Sequence, residues 1–245
     1  MFVVSRRCSL IFHAPILKAV MVGGHVLLLI TSCAQGLDQR IDRAYRLARN
    51  PTAGNKNRIE ALLKDGDRDL RATALVLMET IDKQRARRMA ADALQDPDGL
   101  VRAAAVSVVG ADADAETLPV LIALMSDDPV WQVRARVLET IVPPDDPAQR
   151  EKFANALSDP VRHVRRAALR AGAAHPGLLP ADRLAELVVS DPDWENRVEA
   201  AHALGVSKDP AAYPALDAAR KDPNEFVRAS AAGEQKALQA AGVVR

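Results

Sequence analysis

The chain has 245 residues, of which 49% are apolar and only 3% aromatic, a composition that suits many thin helix–helix contacts filled by Ala, Leu and Val and excludes one thick aromatic core. Its formal charge is +1, and removing residues 1–32, which hold Arg6, Arg7 and Lys18 and no acid, leaves 30 basic against 32 acidic side chains, about −2. That balance gives no electrostatic footprint for nucleic acid, whose binders usually show a basic stripe or a high pI.

At the N-terminus the three basic residues lead into an apolar stretch, residues 19–30, about the length of a signal h-region and too short to span a bilayer comfortably. It closes on Ile30-Thr31-Ser32-Cys33, which resembles the lipobox of bacterial lipoproteins. The resemblance implies a signal peptide over residues 1–32, a lipid on Cys33 as the new N-terminus, and, through Ala34, an outer-membrane location facing the periplasm where the host has two membranes. The cysteine count agrees: of the two, Cys8 would be discarded and Cys33 modified, leaving no thiol to oxidise in a disulfide-forming compartment. An ordinary signal peptide or an uncleaved anchor is the alternative, and a start at Met21 would remove the basic region. No other segment is apolar enough to cross a membrane.

Residues 33–51 follow as a lipidated N-terminus and cap helix. Over residues 37–50, Ile41, Ala44, Tyr45 and Ala48 share one side. Arg40, Arg43, Arg46 and Arg49 step by three and wind around this helix. With Asp38 and Asp42 interspersed they read as a solvated surface, although their closeness to Cys33 would also favour an anionic membrane.

From there a period sets in. Asp65, Asp96, Asp128, Asp159, Asp191 and Asp222 are each followed six residues later by an arginine: Arg71, Arg102, Arg134, Arg165, Arg197 and Arg228. A near-constant step of 31 or 32 residues marks stacked units that bury their apolar faces only against neighbours. Asp-Pro stands at five of the six turns and Asp65-Gly66 at the first. The Asp is expected to cap a new helix with Pro at its first position, where no amide hydrogen is needed. First helices precede each Asp, as in residues 117–125, and second helices follow it, as in residues 161–171.

Aligning the six units internally separates core from surface. Five residues after the Asp stand Leu70, Val101, Val133, Val164, Asn196 and Val227, and nine after it Ala74, Ala105, Val137, Ala168, Ala200 and Ala231; these are core positions. Three after it stand Arg68, Gly99, Trp131, Arg162, Trp194 and Glu225, a mixture expected to face solvent or a partner.

Asp-Pro-x-x-x-Val-Arg before an Ala-rich helix, with Leu204-Gly205 at one helix end, is similar to HEAT repeats, particularly the short bacterial type also found in phycobilisome lyases. Over residues 52–240 the resemblance implies an all-α, right-handed solenoid of about six helical hairpins, and a hydrogen-bonded ladder made by the six Asp and six Arg residues. Asn196 departs from the expected Val. Gly233, Glu234 and Gln235 make the last helix polar enough to act as a terminal cap.

Catalytic chemistry finds no foothold. His163, His175 and His202 have no paired spacing on one helical face, and the sequence holds no metal-ligand cluster, phosphate loop or nucleophile elbow. No catalytic residue, metal or cofactor is expected. The acid pairs Asp127-Asp128 and Asp145-Asp146 read as helix ends and turns. Trp131 and Trp194, two units apart on one ridge with Arg162 between them, are candidates for partner contact; the alternative is that each indole folds against its own unit and seals the edge. The expected function is a noncatalytic scaffold, lipid-anchored in the cell envelope, holding another envelope protein and no nucleic acid. A lyase-type enzyme or accessory, and less so a helical-repeat DNA binder, stand as other classes.

Overall fold

The computed structural model describes residues 29–243, with side chains from residue 36 onward. The signal peptide expected over residues 1–32 falls mostly, and the side chain of Cys33 wholly, outside what is described. Every described regular element is a helix, thirteen α-helices with three short 3-10 turns and no strand among the described residues.

Two compact units are present, residues 1–40 and 41–245. Of the first, the described residues are the opening part of α1 (Leu29–Arg49). This helix starts eight residues before the expected cap helix, since no Pro interrupts that segment. It stops at Arg49 because Asn50 precedes Pro51, whose ring disfavours helical backbone in the residue before it.

The second unit is built of paired helices: α2 (Ala53–Ala61) with α3 (Arg68–Ile81), α4 (Lys83–Ala93) with α5 (Gly99–Val109), α6 (Thr117–Asp127) with α7 (Trp131–Thr140), α8 (Pro147–Asn155) with α9 (Arg162–Ala174), α10 (Ala181–Ser190) with α11 (Trp194–Ser207), and α12 (Ala212–Ala219) with α13 (Glu225–Ala240). The second helices α3, α5, α7, α9, α11 and α13 pack in that order, each against the next, while α4, α6, α10 and α12 cover them from the other side. This is an α-solenoid of six hairpins. Its core is one continuous cluster from Ala44 to Leu238. Both expected core positions, five and nine residues after the turn Asp, are fully buried in all six units, and each Val or Leu withdrawn from water there contributes about 1.5–3 kcal/mol.

The start of each second helix differs from expectation. Asp65, Asp128, Asp159 and Asp191 end the preceding helical segment in non-helical backbone, and the helix begins three residues later. The capping residues are Asp67, Asp98, Asp193 and Asn224, whose side chains accept an amide two residues on; Val130 and Val161 fill that place without a side-chain bond. Pro therefore sits in the turn and not at the first helical position. The physical reason is that each turn Asp spends its carboxylate on the amide two residues ahead, as Asp96 does toward Asp98 at 2.8 Å, which closes a tight turn before the helix can start.

One further expectation is corrected. Gly99 does not face outward: it is buried, and a Cβ there would stand 2.7 Å from Val130 of the next unit. Gln235, in the polar stretch of the last helix, lies inside. It is buried and accepts from Arg220 at 3.3 Å while donating to the Tyr213 carbonyl at 3.5 Å, so α13 caps the stack with a satisfied polar side chain turned inward.

Candidate functional site

Along one edge of the second helices runs a file of charged pairs. Arg102 donates from Nε to Asp128 Oδ2 at 2.7 Å and from Nη2 to Oδ1 at 2.8 Å, while its Nη1 reaches the carbonyl of Asp96 at 2.8 Å. The same arrangement recurs for Arg71 on Asp96, Arg134 on Asp159, Arg165 on Asp191 and Arg197 on Asp222. Each Arg thus ties the turn of its own unit to the carboxylate of the next, and the two-pronged geometry fixes their relative rotation. At the first turn Asp65 accepts the amide of Asp67. At the last, Arg228 donates to the carbonyls of Asp222 at 2.7 Å and Pro223 at 2.9 Å, and among the described residues its fork meets no carboxylate.

Burial opposes the charged forms of Asp96 and Asp191, but the forks from Arg71 and Arg165 together with backbone amides outweigh it, and both carboxyls lie below the ordinary carboxylate value. For Asp222 the fork from Arg197 is the largest influence and lowers it outright. The arginines Arg71, Arg102, Arg165 and Arg197 are raised, chiefly by the same hydrogen bonds.

Asn196 belongs to this edge. It is fully buried, donates to the Arg162 carbonyl at 3.1 Å and to Asp191 at 3.3 Å, and accepts from Arg166 Nε at 3.1 Å. Arg166 also bonds Asp193 at 3.0 Å. A buried amide with all its main valences met replaces the expected Val without leaving an unpaired group.

Each tryptophan stacks on an aromatic ring of the following unit. Trp131 is half-buried and stacks on His163 of the following unit, ring centres 4.9 Å apart. Trp194 remains 40% exposed and stacks at 5.4 Å on Phe226, itself 58% exposed. Arg162, between them on the ridge, pairs with Asp193 at 2.9 Å. The structure therefore separates the two indoles: one seals a joint, the other forms half of an exposed aromatic step. Phe226 was not singled out by sequence, although it stands four residues after Asp222 as His163 stands four after Asp159. His202 meets Glu234 at 2.9 Å.

A second feature lies nearer the N-terminus of this layer. Tyr45 of α1, Val76 of α3 and Leu100 of α5, all 44–49% exposed, line a groove of about 350 Å³ with Ala104, Asp69 and Arg136. Among the described residues no group of three or more His, Cys, Asp or Glu is placed to hold a metal ion, and no helix is long and apolar enough to cross a membrane.

With this architecture in view, the comparisons with known proteins fall into place. Residues 55–142 and 150–234 match the family model of HEAT repeats, and the chain belongs to the HEAT-repeat family. The break between the two matches falls on the Pro-rich connection before α8. No curated protein matches the chain. Among solved structures, the chain is similar to YibA of Escherichia coli, with TM-score 0.60 and 19% identity over 82% of this chain and 77% of that one. It is also similar to the archaeal HEAT-like repeats protein from Thermococcus onnurineus NA1, with TM-score 0.54 and 16% identity over 84% of this chain and 94% of that one. An engineered protein gives TM-score 0.54 and 18% identity over 76% and 97%. At these identities the likeness concerns the fold.

Proposed function

We propose that this HEAT-repeat protein is a noncatalytic docking scaffold, held at the cell envelope by a lipid on Cys33, that engages another envelope protein through the exposed side chains of its second helices. The observation that carries this reading is the Trp194–Phe226 step. In a chain with eight aromatic residues, two are stacked at the surface and left 40% and 58% exposed. Exposed Trp beside an Arg is the composition of binding hot spots. Arg162, one unit before Trp194, and Glu225, one unit after it, give the ridge a charge of each sign at either side of the indole. The anchor rests on the lipobox resemblance and on the placement of Cys33 ahead of the repeats.

Two measurements test the proposal. A photo-crosslinking residue in place of Trp194, compared with one at Val142 on the far connection, is expected to trap one discrete envelope protein in intact cells from position 194 alone; equal trapping from both positions or none from either overturns the docking role. Cys33→Ser is expected to move the protein from the membrane to the soluble fraction, and unchanged fractionation overturns the anchor.

A further inference from the structure

The groove formed by Tyr45, Val76 and Leu100 has a sign. Asp69, on its wall, uses its backbone amide to bond Asp67 at 2.8 Å, but its half-buried carboxylate has no hydrogen-bond or ion-pair partner among the described residues. Arg136, across the groove, is paired with Glu139 of its own helix at 3.2 Å. Of the two charged side chains lining the groove, Arg136 already has a carboxylate beside it and Asp69 has no cation. Nearby acids are spoken for: Asp67 caps α3, and Asp98 takes Arg68 at 3.4 Å while capping α5. The volume lies at the low end of the roughly 300–1,000 Å³ of ligand pockets, a size for one or two side chains.

From the unpaired Asp69 carboxylate set into this apolar groove we infer that the groove receives a peptide segment of another protein in which a bulky aliphatic or aromatic side chain stands next to a lysine or arginine. The apolar side chain covers Val76 and Leu100 and stacks on Tyr45, and the cation pairs with Asp69. An acidic segment is disfavoured, because it would set like charge against Asp69 in a partly desolvated place. Phe226 occupies the same register position as Asp69 and Leu100, four residues after the turn Asp, so the groove opens the same row that ends in the exposed aromatic step. The inference rests on the docking reading above and names the chemistry of one of its contacts.

The test uses the purified protein and two fluorescein-labelled peptides, Lys-Leu-Phe-Leu-Lys and Glu-Leu-Phe-Leu-Glu, followed by anisotropy. The lysine peptide is expected to bind and the glutamate peptide not. Asp69→Asn is expected to weaken binding about fivefold and to remove most of its salt dependence, and Leu100→Ser, a change at a half-exposed side chain, about tenfold. Glu151→Gln, away from the groove on α8, is expected to leave it unchanged. Equal binding of both peptides, no binding of either, or an Asp69→Asn variant that binds as well as the original overturns the inference. A crosslinker at Leu100 separates the two proposals: trapping at position 194 but not at position 100 sinks the groove and leaves the scaffold, whereas trapping at neither sinks both.

Discussion

Arg165 and Asp191 meet through two parallel hydrogen bonds, Nε to Oδ2 at 2.7 Å and Nη2 to Oδ1 at 2.9 Å, and the Asp191 side chain is wholly shielded from water. Four more such pairs recur one unit apart. A pair of this kind gives little net stability against an apolar substitute of the same shape, but removing one partner strands the other.

Replacing the acid is therefore more damaging than removing a simple cap. Asp191→Ala is expected to cost about 3 kcal/mol, because Arg165 is left with a buried, unpaired fork. Asp146→Ala removes only the exposed bond from Asp146 to the amide of Ala148 at 3.2 Å and is expected to cost about 1 kcal/mol. Asp159→Ala, with slightly more solvent at its pair, falls between them. Urea unfolding of the three variants checks the order; equal midpoints would remove the ladder from the account of stability.

Acid sensitivity follows from the same pairs. Asp96, Asp191 and Asp222 hold their protons less readily folded than unfolded. Their stabilising contribution is fully present above the unfolded value of about 3.9 and is lost as pH falls through the lower folded values. Stability is expected to stay nearly level from about pH 7 to 5 as far as these groups are concerned, and to drop below about pH 4. Asp222→Asn should be less stable at neutral pH and lose less on acidification, which a pH series of thermal melts reads directly.

Close packing at Gly99 makes a sharper claim. Gly99→Ala is expected to cost about 1–3 kcal/mol because the added methyl meets Val130 at 2.7 Å. Val130→Ala in the same chain should return part of that loss. A double-mutant cycle showing no coupling between the two positions would contradict the contact.

Restoring the expected aliphatic residue at the fifth unit is predicted to harm the protein. Asn196→Val removes the donors to the Arg162 carbonyl and Asp191 and the acceptor for Arg166, and the net cost is expected to be about 1–2 kcal/mol. A rise in unfolding midpoint would show that the network is dispensable.

Much of this fold was legible because the period carries it. The spacing of Asp65 to Asp222 located every hairpin, and the two core positions could be read by aligning the chain with itself. What failed did so for local reasons. Asp-Pro satisfies the capping rule on paper, so the sequence points to the turn Asp residues as helix caps; the competing bond that the carboxylate accepts from the amide two residues on shifts the helix start. Gly99 was misplaced because its row otherwise holds large side chains, and nothing in one sequence says that Val130 crosses over it. The groove has no linear signature, because Tyr45, Val76 and Leu100 lie in three different helices and converge only when the layers stack. Asn196 looked like a flaw because its partners, Arg162 and Arg166, lie a full unit upstream.

The last arginine closes the pattern in an unusual way. Arg228 is held by the carbonyls of its own turn, and its fork meets no carboxylate among the described residues. A seventh hairpin grafted after α13 and opening on an aspartate would find in Arg228 the partner for its first rung, held by its own turn as the other ladder arginines are.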